Sequence, residues 1–540
     1  MEKRVLLFRR MVQAVFVLSL PFFTLMVLHS GFGKIGYVIS LLLSFVAGLL
    51  ISNAITKSFF DKWKTIYTIG ALVIAGYICF MYAWQGNGVY IMQMQQDLLE
   101  KILPIQVTSK RLLVGLFVAS LPAVFLILHY LIQIIVMHGK QFVVSLDKFE
   151  KWLLIGTLIG ACGIIILFYS QTGICYHAMW DDNLQIYDVL YTTDSSGVYS
   201  SDCYFRILSG ANDIRQPLFG VFALPFALLA KIVSLLLFWV PEGYAFGLGI
   251  IQYLTEAIAI IMLMRMLKIQ GKERVFFVFL NFASYAYLIH GLMLEQYTIA
   301  FFYVILVLYM YQNCEGTNYS YFGAVSTLLT SGILFGLITK SKNVKQWITD
   351  IFKAFVIYMG MVTVCGQLPQ FLGIGNSIEM LASFTGESVT VMDKWRQFTH
   401  FVSGIFWSTQ GEMTNIYFPS YRNVELHQVS WIGIIILICA VWGFVVTREE
   451  WISKLALSWI LFSGVILLGI GWGTAENGLL LYALYFAWAY IVLIYQFLKK
   501  ICKNSIVFKT AVLVLVFTMI IRNGYELIQI YQFGIEYYPM

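Results

Sequence analysis

Long apolar runs separated by shorter polar segments dominate the pattern of this 540-residue chain. Five runs precede residue 170, at about 11–28, 35–54, 66–84, 112–137 and 152–168. Ten more begin at about residues 217, 245, 275, 297, 320, 351, 431, 455, 477 and 507. Runs of about 18 or more apolar residues are long enough to cross a bilayer as α-helices. The pattern predicts an all-α, polytopic transmembrane protein with about thirteen to fifteen spans.

The composition supports the membrane interpretation and argues against a nucleic-acid partner. Sixty per cent of the residues are hydrophobic, and the mean hydropathy of +0.80 lies far outside the range of soluble globular proteins. The net charge of +7 comes from basic residues that cluster at the ends of apolar runs. Such clustering is typical of the cytoplasmic ends of membrane spans. We therefore expect a lipid bilayer as partner and no nucleic acid.

The chain is expected to have three regions, and two of them carry a polar stretch, at 170–216 and 367–430. Residues 1–151 are expected to form N-terminal transmembrane helices. Residues 152–345 form a core region with the polar loop 170–216, and residues 346–540 form C-terminal helices with the polar loop 367–430. Each loop is too short to bury a substantial core of its own, so both are expected to pack on the outer face of the helices.

Charge asymmetry gives the expected orientation of the spans. Lys3, Arg4, Arg9 and Arg10 precede the first run, which no small-residue cleavage site follows, so the basic N-terminus is expected to remain in the cytoplasm. Simple alternation then places both polar loops outside the cytoplasm. It also places the basic residues of 265–274 outside and Glu295 inside, unless a re-entrant or interfacial segment lies within 217–265. The side of these two sites stays open.

The loop 170–216 is strongly acidic. Its six carboxylates are Asp181, Asp182, Asp188, Asp194, Asp202 and Asp213, and its cations are Arg206 and Arg215. A charge at the bilayer centre costs about 2.5–3.5 kcal/mol, so these aspartates are expected at the aqueous edge. Partial desolvation and like-charged neighbours there raise the pKa of a carboxyl toward neutrality, which suits a general base. For any one aspartate, a solvated acidic loop is the simpler interpretation.

The order of these features resembles the GT-C class of membrane glycosyltransferases, which includes protein O-mannosyltransferases and lipid A aminoarabinose transferases. Members carry acidic residues in a large external loop, which re-enters the membrane through a motif close to His-Pro-Pro-Leu or Arg-His-Pro-Leu. The sequence Arg215-Gln216-Pro217-Leu218 is similar to that motif. Glu295 occupies the position of a second acidic residue in the later helix pair. The segment GILFGLITKSK resembles the family's Gly-Leu-x-x-x-x-Lys helix end, and Lys340 takes the place of its lysine.

The resemblance implies an integral-membrane glycosyltransferase that moves a sugar from a polyprenyl-phosphate-linked donor to an extracytoplasmic acceptor. That acceptor is a cell-envelope glycan, a lipid or a protein. Asp194, about 23 positions before Pro217, best fits the family's catalytic carboxylate, with Asp181 and Asp182 of MWDDN as reserves. Arg215 and Lys340 suit the donor phosphate. They can also be interpreted as a membrane-end anchor and a positive-inside lysine.

Several assignments stay open at this point. His177 and Trp180 could position a sugar, or Trp180 could belong to the interfacial aromatic belt. Cys175 and Cys203 could form a disulfide. No cysteine or histidine cluster has metal-ligand spacing, and the need for a divalent metal is unknown.

The alternative function is a transporter or flippase for lipid-linked sugars. Glu256, a carboxyl inside an apolar run, favours it, because intramembrane charges mark substrate and ion pathways. Under the glycosyltransferase hypothesis, the expected location is the bacterial cytoplasmic membrane, with the active site on its extracytoplasmic side.

Overall fold

The protein is built from long apolar α-helices, and its structure is a computed structural model. The structure describes residues 2–27, 34–61, 64–84, 109–176, 189–191, 193, 195–200, 202–205, 216–313, 343–368, 382, 385, 389–408, 411–414, 420–423, 428–474, 478–502 and 505–540. Within these residues ten helices are long and apolar enough to cross a membrane, or eleven if one bent pair counts as one span. The expected all-α, polytopic membrane architecture is confirmed.

The chain divides into two compact units. Unit 1 consists of Met1–Phe149 and Val356–Ile374, and unit 2 consists of Glu150–Phe355 and Gly375–Met540. Unit 1 contains the helices α1 (Glu2–Val27), α2 (Lys34–Asp61), α3 (Thr65–Trp84) and α4 (Ser109–Ser145).

Unit 1 is held together by an apolar cluster and by polar pairs between its helices. Phe16 and Leu20 of α1, Phe59 of α2 and Leu126 of α4 are buried against one another. The hydroxyl groups of Thr24 and Ser44 lie 2.7 Å apart, which joins α1 to α2. Such polar contacts help to join membrane helices, since lipid offers no competing hydrogen bonds.

Unit 2 contains most of the remaining elements. They are α5 (Lys148–Tyr169), α6 (Ser195–Ser200), α7 (Phe219–Leu236), α8 (Gly243–Met266), α9 (Glu273–Phe282), α10 (Tyr285–Leu292), α11 (Tyr297–Asn313), α13 (Val391–Phe406), β1 (Gly411–Thr414), β2 (Ser420–Asn423), α14 (Trp431–Thr447), α15 (Trp451–Ser463), α16 (Ala483–Ile501) and α17 (Ser505–Tyr537). Helix α12 (Val344–Val364) begins in unit 2 and ends in unit 1. A π-helical segment, Gly464–Ile470, extends α15, and β1 pairs antiparallel with β2 from Gly411↔Asn423 to Thr414↔Ser420.

One end of unit 2 collects basic side chains, and we call it the basic end. Its cationic residues include Lys151, Arg265, Lys268, Lys272, Arg274, Lys499 and Lys500. Arg265 donates to both oxygens of Glu150, at 2.8 and 2.6 Å, which joins the end of α8 to the start of α5. Lys499 contacts Glu273 at 2.7 Å, which joins the end of α16 to the start of α9. The residues 265–274 therefore lie at the same end as Glu150.

The opposite end of unit 2, the loop end, carries the described parts of both polar loops and the C-terminus. Gly173 N–H donates to Tyr538 O at 3.0 Å, and Met540 N–H donates to Gln171 O at 3.2 Å. At this end Tyr199 of α6 contacts Glu242, just before α8. The start of the first loop is thus fixed to the end of α17.

Helix α7 explains why simple alternation of spans fails after Pro217. It packs antiparallel to α8, with Gly247 against the backbone of Ala230 and Gly243 against Leu237. The α7–α8 connection therefore lies at the loop end, and the N-terminal part of α7 lies inside unit 2, where Phe222 O accepts from Tyr303. Helix α5 starts at the basic end and α8 finishes there, so both ends of the segment between them belong to the loop end. Residues 265–274 therefore lie at the same end as Lys499.

Helices α9, α10 and α11 form a hairpin with one broken arm, which we call the helix hairpin. α9 and α10 meet at a bend of 60°, and α11 returns to the basic end, where Gln312 donates to Met266 O at 3.3 Å. The two runs that the sequence suggested as separate spans are therefore the two arms of one hairpin. Another expected run, at about 320, lies outside the described residues. For these reasons the described residues contain fewer spans than the thirteen to fifteen expected.

Candidate functional site at the loop end

The two polar loops meet at the loop end through their main chains. Tyr191 N–H donates to Tyr421 O at 2.6 Å, and Tyr421 N–H donates to Val189 O at 2.8 Å. Leu190 and Tyr421 form a parallel bridge between the first loop and β2. A segment that follows α5 is thus attached to one that follows α13, more than 200 positions later in the sequence.

Four polar side chains, which we call the Tyr–Glu cluster, lie beneath this junction. They are Tyr191, Tyr285, Tyr421 and Glu526, all buried. The hydroxyl groups of Tyr191 and Tyr285 are in contact. Glu526 Oε1 accepts from Tyr421 Oη at 2.7 Å and from Gly411 N–H at 3.1 Å. The carboxyl of α17 therefore binds both β1 and β2.

Helix α17 supports the same junction one turn earlier, through Asn523. Its Nδ2 donates to Ala283 O at 2.7 Å and to Phe406 O at 2.8 Å, and its Oδ1 accepts from Ser408 N–H at 2.7 Å. Ala283 lies at the bend between α9 and α10, where the helix leaves carbonyl groups without intrahelical partners. Asn523 satisfies one of them and fixes the end of α13 beside it.

The phenols of the two loops are held in their neutral form. Burial raises the pKa of Tyr191, and the neighbouring Tyr285 and Glu526 add to that shift. Burial also raises the pKa of Tyr421, and its hydrogen bond to Glu526 adds to the shift. Both groups remain hydrogen-bond donors at neutral pH, because burial disfavours the charged phenolate.

A second polar group, the Asp202 cluster, joins the first loop to the α7–α8 connection. Asp202 contacts Lys231 of α7 at 3.3 Å and accepts from Tyr244 Oη at 2.9 Å. The Lys231 ammonium also lies 4.3 Å from the centre of the Tyr244 ring. Tyr199 donates to Glu242 at 2.5 Å. Lys231 therefore has its charge matched by a carboxylate and by an aromatic face.

Three residues at the loop end have left-handed backbone conformations that non-glycine residues rarely adopt. Tyr191 has φ of +54°, Asp202 of +48° and Glu242 of +59°. Such conformations cost about 1–3 kcal/mol each and persist where surrounding contacts over-determine them, as they do at many functional sites. Each of these side chains belongs to one of the two polar clusters.

The turn of the helix hairpin places Glu295 near the start of the first loop. Gln252 of α8 donates to His290 O at 2.8 Å and to Met293 O at 2.7 Å, and Leu294 N–H donates to Cys175 O at 3.1 Å. Glu295 is 1% exposed, and Gln296 N–H donates to its carboxyl at 3.2 Å. Glu295, whose side the sequence left open, therefore lies toward the loop end of unit 2, because its turn contacts the loop segment rather than the basic end.

Glu295 also contributes to the surroundings of Tyr204, a buried residue of the first loop. Burial raises the pKa of the Tyr204 phenol, and Cys203 and Glu295 add to that shift. Tyr204 Oη lies 3.3 Å from Gln252 Oε1. The described part of the loop therefore reaches into the helices as far as the hairpin turn.

The other predicted site residues lie outside the described residues. They are Asp194, Asp181, Asp182, Arg215, Lys340, His177 and Trp180. Thr193 and Ser195, the chain neighbours of the first of these, are described and buried, and their hydroxyl oxygens lie 3.3 Å apart. Cys175 and Cys203 are both buried free thiols. In the part of the chain that the structure describes, no group of three or more His, Cys, Asp or Glu side chains could hold a metal ion.

Five residues at the loop end were not predicted from the sequence, namely Glu526, Asn523 and the three tyrosines of the Tyr–Glu cluster. A usable signal was present for two of them, because Asn523 and Glu526 are spaced three residues apart in the long C-terminal helical segment. Polar residues at that spacing share one helix face, and a buried carboxyl in a membrane helix is a functional candidate. The tyrosines gave no such signal in a chain with 33 of them.

Comparison of the chain with protein-family models, with curated proteins and with solved structures finds no match.

Proposed function

We propose that the protein is an integral-membrane glycosyltransferase of the GT-C type. It takes a sugar from a polyprenyl-phosphate-linked donor and transfers it to a cell-envelope glycan, lipid or protein. The observation that carries this proposal is the joining of the acidic first loop to the second polar loop, over the buried Glu526. A pair of loops fixed in this way offers a preorganised surface beside the bilayer, as positioning of two substrates requires.

The sidedness of the reaction follows from the charges of unit 2. Basic residues of membrane proteins favour the cytoplasmic side, and the basic end contains Arg265, Lys268 and Lys499. The loop end then faces the extracytoplasmic side, where a lipid-linked donor and an envelope acceptor meet. For a bacterial protein this membrane is the cytoplasmic membrane.

In the proposed reaction Asp194 removes a proton from the acceptor nucleophile, with Asp181 and Asp182 as the reserve candidates. Arg215 and Lys340 stabilise the negative charge on the departing lipid phosphate. His177 and Trp180 hold the sugar. Glu295, whose carboxyl lies beside the first loop, shapes the donor side of the site. The lipid phosphate is already a good leaving group, so a positioned base and electrostatic help supply most of the catalysis.

The test is glycan transfer by the Asp194→Asn variant in membranes supplied with a lipid-linked sugar donor. We expect a loss of transfer of about 100-fold or more, the range that general base catalysis contributes, with normal amounts of protein in the membrane. Glu449→Gln, which changes an exposed carboxyl at the basic end, is the matched control and should transfer normally. Full transfer by Asp194→Asn would remove this residue from the mechanism.

A transporter or flippase for lipid-linked sugars is the second candidate function. It is favoured by the 60° bend in the helix hairpin and by the buried carboxyl of Glu256 in α8, since transporters use broken helices and intramembrane charges. The purified protein in lipid vesicles discriminates between the two. Movement of a lipid-linked sugar across the vesicle membrane without any acceptor supports transport, whereas a new glycosidic product supports transfer.

A further inference from the structure

A fully buried carboxyl lies in the interior of unit 2, apart from the two clusters at the loop end. Glu256, in α8, is 0% exposed, and neither of its oxygens has a hydrogen-bond partner among the described residues. A buried carboxyl in a protein is normally in one of two states: it is ionised and paired with a cation, or it is neutral. Glu150 of the same unit is an example of the first kind, because Arg265 donates to both of its oxygens.

A second buried polar group faces Glu256 from α10. The Tyr287 hydroxyl is likewise buried and without a hydrogen-bond partner among the described residues. Tyr287 and Gly291 share one face of α10, and the backbone of Gly291 packs against the ring of Tyr253. Tyr253 and Glu256 share one face of α8. The carboxyl and the two phenols interact electrostatically, which agrees with this arrangement.

Ionisable neighbours do not stabilise a charge on Glu256. The titratable groups that face it are Tyr253 from its own helix and Tyr287 from α10, both neutral phenols. An ionised carboxylate without a partner is far more costly to bury than a neutral acid. The neutral acid is therefore the form that this environment accepts.

We propose that Glu256 is an intramembrane proton-binding site, with the Tyr287 hydroxyl as a further polar group of that site. The ligand is a single proton, which neutralises the carboxyl within the bundle formed by α8 and the helix hairpin. This proposal is independent of glycosyl transfer and applies to a transporter as well.

Infrared difference spectroscopy on the purified full-length protein tests it. We expect the spectrum of the wild type minus Glu256→Gln at neutral pH to show the carbonyl band of one protonated carboxylic acid. Glu150→Gln is the matched control, and its difference spectrum should show loss of carboxylate bands instead. Tyr287→Phe should shift the Glu256 band without removing it. Carboxylate bands in the Glu256→Gln difference spectrum would overturn the proposal, whatever the accessibility of the site.

A hydrophobic carbodiimide provides a second, chemical measurement. The O–H of a protonated carboxylic acid adds across one C=N bond of the reagent: the carboxyl oxygen bonds to the central carbon and the proton moves to nitrogen. Acyl migration then gives a stable N-acylurea, so the protein gains the full mass of the reagent. We expect this gain at Glu256 and not at Glu150 by peptide mass mapping. If sodium suppressed the labelling at constant pH, the ligand of the site would be a metal cation and not a proton, and the proposal would be overturned.

Discussion

At the scale of single residues, the loop end depends on a few polar groups whose hydrogen bonds are made across large sequence distances. Glu526 is the centre of the Tyr–Glu cluster, because its Oε1 accepts from both Tyr421 and Gly411. A hydrogen bond contributes about 0.5–1.5 kcal/mol net, and a buried acceptor that loses its donor costs about 1–3 kcal/mol. The junction of the two loops should therefore respond to the loss of one hydroxyl.

Tyr421→Phe removes that hydroxyl while keeping the ring. We expect it to destabilise the protein by about 1–3 kcal/mol, because Glu526 loses a donor in a buried position. The measurement is thermal or denaturant unfolding of the protein in detergent. Tyr525→Phe, on the exposed side of the same helix α17, is the matched control. Equal stability of the two variants would show that the Tyr421–Glu526 hydrogen bond contributes nothing.

At the scale of secondary-structure elements, the helix hairpin is the feature that departs most from a simple series of spans. Its bend leaves carbonyl groups for Asn523 to satisfy, and its turn supplies acceptors for Gln252. Irregular backbone at membrane depth is tolerated where it is buried in protein. The close approach of α10 to α8 requires a residue without a side chain, since a Cβ atom on Gly291 would lie 2.3 Å from the Tyr253 ring.

Gly291→Ala tests that close approach. The added methyl group must displace the Tyr253 ring, whose hydroxyl is fixed to Leu288 O at 3.1 Å. We expect a loss of about 1–3 kcal/mol of stability, the usual cost of overpacking. Gly160→Ala in α5 is the control, because nothing lies within 4 Å of a Cβ atom there. It should be neutral or slightly stabilising, since alanine favours helix more than glycine does. Unfolding in detergent compares the two, and equal melting would contradict the packing argument.

At the scale of the whole molecule, the re-entrant α7 segment and the helix hairpin bring charge and topology into agreement. Both ends of the α7 segment belong to the loop end, and both ends of the hairpin belong to the basic end. The basic residues of 265–274 then join Glu150 and Lys499 on one side. This arrangement places these basic residues together, as the positive-inside tendency favours.

Cysteine labelling of intact cells tests this topology. In a background without native cysteines, Ser200→Cys lies at the exposed last residue of α6 at the loop end and Lys272→Cys lies exposed at the basic end. We expect a membrane-impermeant thiol reagent added outside to label position 200 and not position 272. Position 272 should react only after the membrane is permeabilised. Labelling of both positions from outside would contradict the re-entrant α7 segment.

The sequence by itself determined the class of the protein and its main divisions. Apolar runs long enough to span a bilayer would expose a large hydrophobic surface in water, so the composition alone requires a membrane. The polar character of 170–216 and 367–430 similarly excluded these stretches from the hydrocarbon core. The reason is that hydropathy is a property of local sequence, and the bilayer acts on it directly. The glycosyltransferase assignment and the role of Asp194 stay predictions.

Only the tertiary structure decided which polar residues lie together and at which end of unit 2 each segment lies. An apolar helix such as α7 has the same composition whether it crosses the bilayer or re-enters it, and only its packing against α8 distinguishes the two. The bend between α9 and α10 and the contact of Tyr421 with Glu526 also join residues far apart in sequence. Such contacts depend on helix packing, which local hydropathy does not encode. The position of Glu295 beside the first loop, which the sequence left open, depends on such packing.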